Sequence, residues 1–195
     1  MLAMLEMMAI AQVNPRSTFP GRRVGGGTRG ECNSRTIAHL VPEASIFAPA
    51  ADRTVGLVEG PIGSPRPMQL EFRPLSGSSK GKTYTRDLPA APAGITLITL
   101  ASIPQAMVWA SSYRCGDTNS VGGSDPLAFI DGGAPPALSL LVQDVTPADR
   151  SVQLGLARLR KVCGRSISRQ EVGQTFGLSD VITADWPAVL PVRCL

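Results

Sequence analysis

His39 is the only histidine of the chain, so any hydrolytic chemistry that uses an imidazole base has to be built around it. It stands in the run Ile37-Ala38-His39-Leu40-Val41, which predicts a strand, and no Gly-x-Ser-x-Gly elbow frames a serine nucleophile anywhere in the chain. His39 is therefore read as a strand residue with no catalytic task. Paired carboxylates of the glycosidase kind would need two acids held about 5 to 10 Å apart; Glu59, Glu71, Asp117 and Asp131 have no sequence context that would raise their pKa. The segment Gly77-Ser78-Ser79-Lys80-Gly81-Lys82-Thr83 ends like a phosphate-binding loop, but three residues separate its glycines where four are needed, and the strand-like Thr83-Tyr84-Thr85 follows where a helix N-terminus should be. A hairpin turn is the reading. No catalytic residue and no cofactor is assigned, and the chain is expected not to be an enzyme.

Binding chemistry has one candidate. Arg22, Arg23 and Arg29 flank the glycines of Gly25-Gly26-Gly27-Thr28-Arg29-Gly30, a composition that can cradle an anion with backbone N–H groups and guanidinium forks. Against it stands a glycine-rich approach to a Cys32 disulfide, with the arginines solvated or paired to Glu31 or Asp117. The net charge of +4, nearly all from arginine, is a mild excess that suits ordinary solubility. Nucleic-acid binding would want cations interleaved with aromatics, and the basic arm carries only Phe19.

Four cysteines, Cys32, Cys115, Cys163 and Cys194, are spread without a CxxC, so a structural metal site is not expected. Disulfides formed in an oxidising compartment are. Pairing Cys32 with Cys115 would close a loop of about 80 residues and stabilise by roughly 4 kcal/mol on the chain-entropy model; pairing Cys163 with Cys194 would tie the C-terminal segment to itself. The N-terminal Met1 to Ala11 run, MLAMLEMMAIA, has the length of a signal-peptide core and ends in the small-x-small Ala9-Ile10-Ala11, although no basic residue precedes it and Glu6 interrupts it. It reads as part of an export signal and is too short to span a bilayer.

The elements that would position these residues are mostly strands. Apolar residues make up 43% and charged residues 17% of the 195, enough for a core, and 17 Pro with 20 Gly favour short strands and turns over long helices. Met68 to Arg73 alternates strictly, Thr83 to Leu88 follows as its hairpin partner, and Gly94 to Leu100 is a β-branched run bounded by prolines. In Met107 to Cys115, Met107, Trp109, Ser111, Tyr113 and Cys115 share a face. A glycine- and proline-rich loop from Gly116 to Pro136 surrounds the patch Leu127 to Ile130, and Ala137 to Val145 reads as the last strand.

Beyond it the pattern changes. Thr146-Pro147-Ala148-Asp149 is a helix start, with Val152, Leu156, Leu159 and Cys163 at helical spacing; Ser168 to Glu171 opens a shorter helix that Gly177 ends, and an extended segment closes the chain. The fold class expected is mainly β, an antiparallel β-sandwich of the immunoglobulin or jelly-roll kind with a short C-terminal helical tail. The division is 1–12 signal-like, 13–30 a Gly/Arg-rich arm, 31–146 the sandwich and 147–195 the helical tail.

Pro20-Gly21-Arg22-Arg23-Val24-Gly25-Gly26-Gly27-Thr28-Arg29-Gly30-Glu31-Cys32, then Leu40-Val41-Pro42, the strand from Trp109 to Cys115 with Asp117 after it, and the Ser151 to Arg160 helix followed by Asp185-Trp186-Pro187-Ala188-Val189-Leu190 resemble the cyanobacterial family catalogued as domain of unknown function 928. The departure lies at Thr54 to Pro61, where the family tends to carry an aromatic-rich strand ending in Val-Pro. The resemblance implies an exported, periplasmic or secreted protein without established activity. The expectation is a non-enzymatic extracytoplasmic binding or scaffold module whose partner is an envelope protein or glycan, with no integral membrane segment. An anion- or glycan-binding protein using the arm is the runner-up, and an unrecognised hydrolase comes third.

Overall fold

The computed structural model describes residues 15–29, 32–75, 82–114 and 135–195, with the backbone alone at 15, 27–29 and 32–34. The signal-like segment, the loop from Gly116 to Ala134, Cys115 and Glu31 lie outside the described residues. In chain order the elements are α1 (Pro15–Thr18), β1 (Val24–Arg29), β2 (Cys32–His39), β3 (Ile46–Phe47), β4 (Thr54–Glu59), β5 (Met68–Pro74), β6 (Tyr84–Leu88), β7 (Gly94–Thr99), β8 (Met107–Tyr113), β9 (Ala137–Leu141), α2 (Pro147–Arg160), β10 (Ser166–Ser168), α3 (Arg169–Phe176) and β11 (Val189–Cys194).

They form two mixed sheets, one of six strands in the order β1-β2-β4-β7-β11-β10 and one of five in the order β3-β9-β8-β5-β6. The protein is mainly β, as its composition predicts. The all-antiparallel expectation needs correction, because β11 runs parallel to β7 and β3 parallel to β9. Parallel neighbours require a long crossover, and the excursion through β8, β9 and the helices supplies it for β11.

Local chemistry explains most elements. Met68, Leu70 and Phe72 of β5 are buried while Gln69 and Glu71 are only partly so, the alternation of a strand with one face on the core. Its antiparallel hairpin partner β6 pairs Met68 with Leu88 and Phe72 with Tyr84. β4 departs from that rule because all six of its positions are buried. Leu57, registered beside His39, faces the five-stranded sheet, whereas Gly56 faces α2, where a Cβ would come within 2.9 Å of a Leu156 methyl. Thr54–Glu59, within the stretch where the sequence departs from the family it resembles, is thus an interior strand covered on both sides.

α2 is stapled over that outer face. Thr146 accepts from the Asp149 N–H, and the Asp149 carboxylate accepts from the Thr146 backbone at 2.7 Å, a capping box with Pro147 at the first turn. Asp149 is fully buried because it also accepts from the Ala48 N–H at 3.0 Å and from Arg16 at 2.8 Å. Val152, Leu156 and Leu159 join Val172, Phe176 and Trp186 in the same core cluster as the inner strands. Ser168 caps α3 by accepting from Gln170, and Gly177 ends it at φ 59°, a left-handed conformation that glycine adopts readily.

Two segments expected as appendages belong to the sheet. Val24–Arg29 of the Gly/Arg-rich arm pairs with β2; three consecutive glycines hide a strand from any apolar pattern. The C-terminal segment is more than a helical tail, for β11 is inserted between β7 and β10, with Leu190 and Val192 buried. Ala137–Leu141 is accordingly not the last strand.

Candidate functional site

Between the sheets lies a polar seam that the register of the six-stranded sheet assembles. Ile37 pairs with Glu59, and Thr96 pairs with both Leu57 and Arg193. Since alternate residues share a face, Arg35, Glu59, Thr96 and Arg193 from four neighbouring strands project to the same side. Tyr113 of β8 meets them from the opposite sheet.

Glu59 is the hub. It accepts from the guanidinium of Arg35, from Arg193 at 3.1 Å and from the Tyr113 hydroxyl at 3.1 Å. Arg35 also donates to the Tyr113 oxygen at 2.8 Å and to the Gly60 carbonyl at 3.3 Å. Arg193 reaches Thr96 at 3.3 Å and the Pro92 carbonyl at 3.2 Å. Glu59 and Arg35 are buried, at 4% and 5% exposure. Burial raises the Glu59 carboxyl above the usual carboxylate range, opposed by the two guanidiniums and the tyrosine bond. This corrects the sequence reading that Glu59 lacked a context to raise it: the context comes from strands remote in sequence. Tyr113 is pushed up as well, first by burial and then by the Glu59 charge. A carboxylate so surrounded fastens β2, β4 and β11 to one another and to β8 of the opposing sheet.

His39 occupies the next position along the seam. Its Nδ1 lies 2.8 Å from the Ser139 hydroxyl and its Nε2 2.8 Å from that of Ser111, while the ring stacks on Trp109 with centroids 3.5 Å apart. A neutral imidazole donates through one nitrogen and accepts through the other, and two hydroxyls answer both roles. Ser111 beside a histidine has the composition of a nucleophile and base, but His39, Ser111 and Ser139 are all at 0% exposure. Desolvation holds the imidazole well below its usual pKa.

A pH dependence follows. Below about pH 6.5 the unfolded chain takes up a proton that folded His39 refuses, so stability falls as the pH is lowered through that window by at most about 1.4 kcal/mol per pH unit. Glu59, raised in the fold, contributes with the opposite sign, and it is common to wild type and variant. Urea titrations of wild type and His39→Gln between pH 5 and 7 should therefore differ in slope, the variant losing the histidine contribution. Parallel slopes would refute the assignment.

The three arginines proposed as an anion cradle are not brought together as one. Arg23 donates to the carbonyls of Val41 at 2.9 Å, Phe176 at 2.8 Å and Gly177 at 2.5 Å. Two of these end α3, where the helix dipole favours a cation. Arg22 is exposed and reaches the Pro136 carbonyl at 3.1 Å; Arg29 lies on β1, its side chain outside the described residues. Replacing Arg23 by Ala should cost about 1–2 kcal/mol, measured by chemical denaturation, with amide exchange rising at the end of α3. An unchanged midpoint would refute the cap.

Of the other candidates, Cys163 and Cys194 form a disulfide with Cα atoms 5.8 Å apart. Cys32 lies on β2 with its side chain outside the described residues, as is Cys115, so that pairing lies outside them too. Glu71 pairs with Arg73 at 3.4 Å across the strand surface; Asp117 and Asp131 are outside the described residues. The near phosphate-binding segment is described only at Lys82 and Thr83, after which β6 follows. Among the described residues no cluster of three His, Cys, Asp or Glu side chains is placed to hold a metal, and no helix is long and apolar enough to cross a membrane.

No family model matches the chain, and none of the curated proteins or solved structures matches it. Sequence reasoning had placed Trp109, Ser111 and Tyr113 on one face, which is the face that meets His39 and Glu59. It missed Arg35, Ser139 and Arg193, whose only signal is a polar residue at an alternating position of a short strand.

Proposed function

We propose that the protein is a non-enzymatic binding or scaffold module working outside the reducing cytosol, an immunoglobulin- or jelly-roll-like β-sandwich akin to the exported cyanobacterial family that its sequence resembles. The observation that carries this reading is the Cys163–Cys194 disulfide, with both cysteines exposed. A bridge open to solvent is open to cellular reductants, and persists where these are scarce. The employment of the reactive side chains supports the same reading: His39, Glu59 and Arg23 are each engaged by several groups of the fold. The anion- or glycan-binding reading of the arm is not adopted, because the Arg23 guanidinium is taken up by backbone carbonyls.

Thiol trapping tests the compartment. Cells producing the native chain are acid-quenched and alkylated before lysis. Cys163 and Cys194 should remain unmodified until a reductant is added. If both are alkylated at once, the extracytoplasmic reading is wrong.

A further inference from the structure

Positive charge is dense on α2 and the turn that follows it. Residues 147–165 carry Arg150, Arg158, Arg160, Lys161 and Arg165 against the single acid Asp149, a local excess of four positive charges. Asp149 is fully buried and bonded to Arg16, and Arg160 pairs with Asp52 at 2.6 Å. The outward face keeps the others. At about 100° per residue, Arg150, Leu154, Ala157, Arg158 and Lys161 fall on one arc of α2, opposite the Val152, Leu156 and Leu159 stripe that packs on the sheet. All five are exposed, and the arc holds no acid. Leu154 stands in its middle at 65% exposure, with Val145 at 47% just before the helix.

We propose that this face of α2 is a docking surface for an anionic lipid bilayer, the cations meeting headgroups and Leu154 entering the interface. Three observations favour that occupant. The stripe from Arg150 to Lys161 is about 16 Å long and lies on the side of α2 opposite its buried residues, with all of its members exposed. Its cations, about two turns apart from Arg150 to Arg158 and about one turn apart from Arg158 to Lys161, have no acid among them, and basic segments of this kind are drawn to anionic leaflets. A large apolar side chain at the centre gains from an acyl boundary, and gains nothing from a hydrated polysaccharide. The adsorption is peripheral, because the apolar stripe of α2 is already buried against the protein.

The inference deepens the binding-module reading by naming the partner of one face. The test uses the oxidised full chain in co-sedimentation with phosphatidylglycerol-containing vesicles and with pure phosphatidylcholine vesicles. Binding is expected to the anionic vesicles alone and to vanish near 0.5 M salt, where the Debye length has shrunk to a few ångströms. The variant Arg150→Gln/Arg158→Gln/Lys161→Gln should weaken it roughly a hundredfold, at about a factor of 5 per cation, while keeping the wild-type circular dichroism and melting point. Leu154→Ser should weaken binding with its salt dependence intact. Equal binding by wild type and the triple variant would overturn the proposal. So would binding to a sulfated polysaccharide, a nucleic acid or an acidic peptide by a chain that leaves the vesicles untouched. These outcomes leave the thiol-trapping result standing, so a failure here is distinct from a failure of the compartment reading.

Discussion

Arg35→Met should unfold this protein at a markedly lower denaturant concentration, with a loss of about 3 kcal/mol. The substitution keeps the length and apolar stem of the side chain and removes the charge that faces Glu59. Glu59 would stay 4% exposed with Arg193 as its one remaining cation, and the Tyr113 hydroxyl and Gly60 carbonyl would lose their donor. Solvating a carboxylate is worth far more than a single remaining ion pair returns. For a domain of this size the melting point should drop by roughly 6–12 °C. The double variant Arg35→Met/Glu59→Gln supplies the control: removing the stranded charge should restore part of the loss. If the double variant is less stable than the sum of the two single changes predicts, the cost belongs to packing and the ion-pair account fails.

Opening the Cys163–Cys194 disulfide is the second large effect. The bridge spans a sequence separation of 31, and on the chain-entropy model such a loop contributes roughly 3.5–4 kcal/mol. It joins the turn after α2 to the final residues of the terminal strand, which holds β7 through Val192, Arg193 and Cys194. Cys163→Ser/Cys194→Ser should therefore loosen β11 first. Amide exchange should accelerate at residues 190–195 and along β7 well before β5 or β8 responds. Arg193 leaves with the strand, so Glu59 would keep Arg35 as its cation. Uniform acceleration across both sheets would mean that the bridge acts only through the unfolded chain.

The two effects bear on one feature. β11 is threaded between β7 and β10 and is secured near its end, by sulfur at Cys194 and by an ionic bond from Arg193 to the sheet interior. Here two fastenings of different chemistry act within two neighbouring residues, Arg193 and Cys194.

Much of the local structure was legible in the sequence because its causes are local. The alternation from Met68 to Arg73, the β-branched run from Gly94, and the Thr146-Pro147-Ala148-Asp149 start act within a few residues, and each element formed where those patterns put it. β4 was obscure for a physical reason: a strand covered on both faces has no polar side to alternate with, and Gly56 is small because Leu156 packs onto it. β1 was obscure because glycine carries no pattern at all.

Strand-forming composition, the helix caps and the supply of cysteines were determined by the sequence itself, through short-range sterics and hydrogen bonding. Partnership was decided only in three dimensions. That Glu59 answers to Arg35 and Arg193, that His39 sits between Ser111 and Ser139, and that Arg23 closes α3 depends on register between strands far apart in the chain. Burial then gives these groups a strength that exposed ones lack, because water no longer competes for their charge.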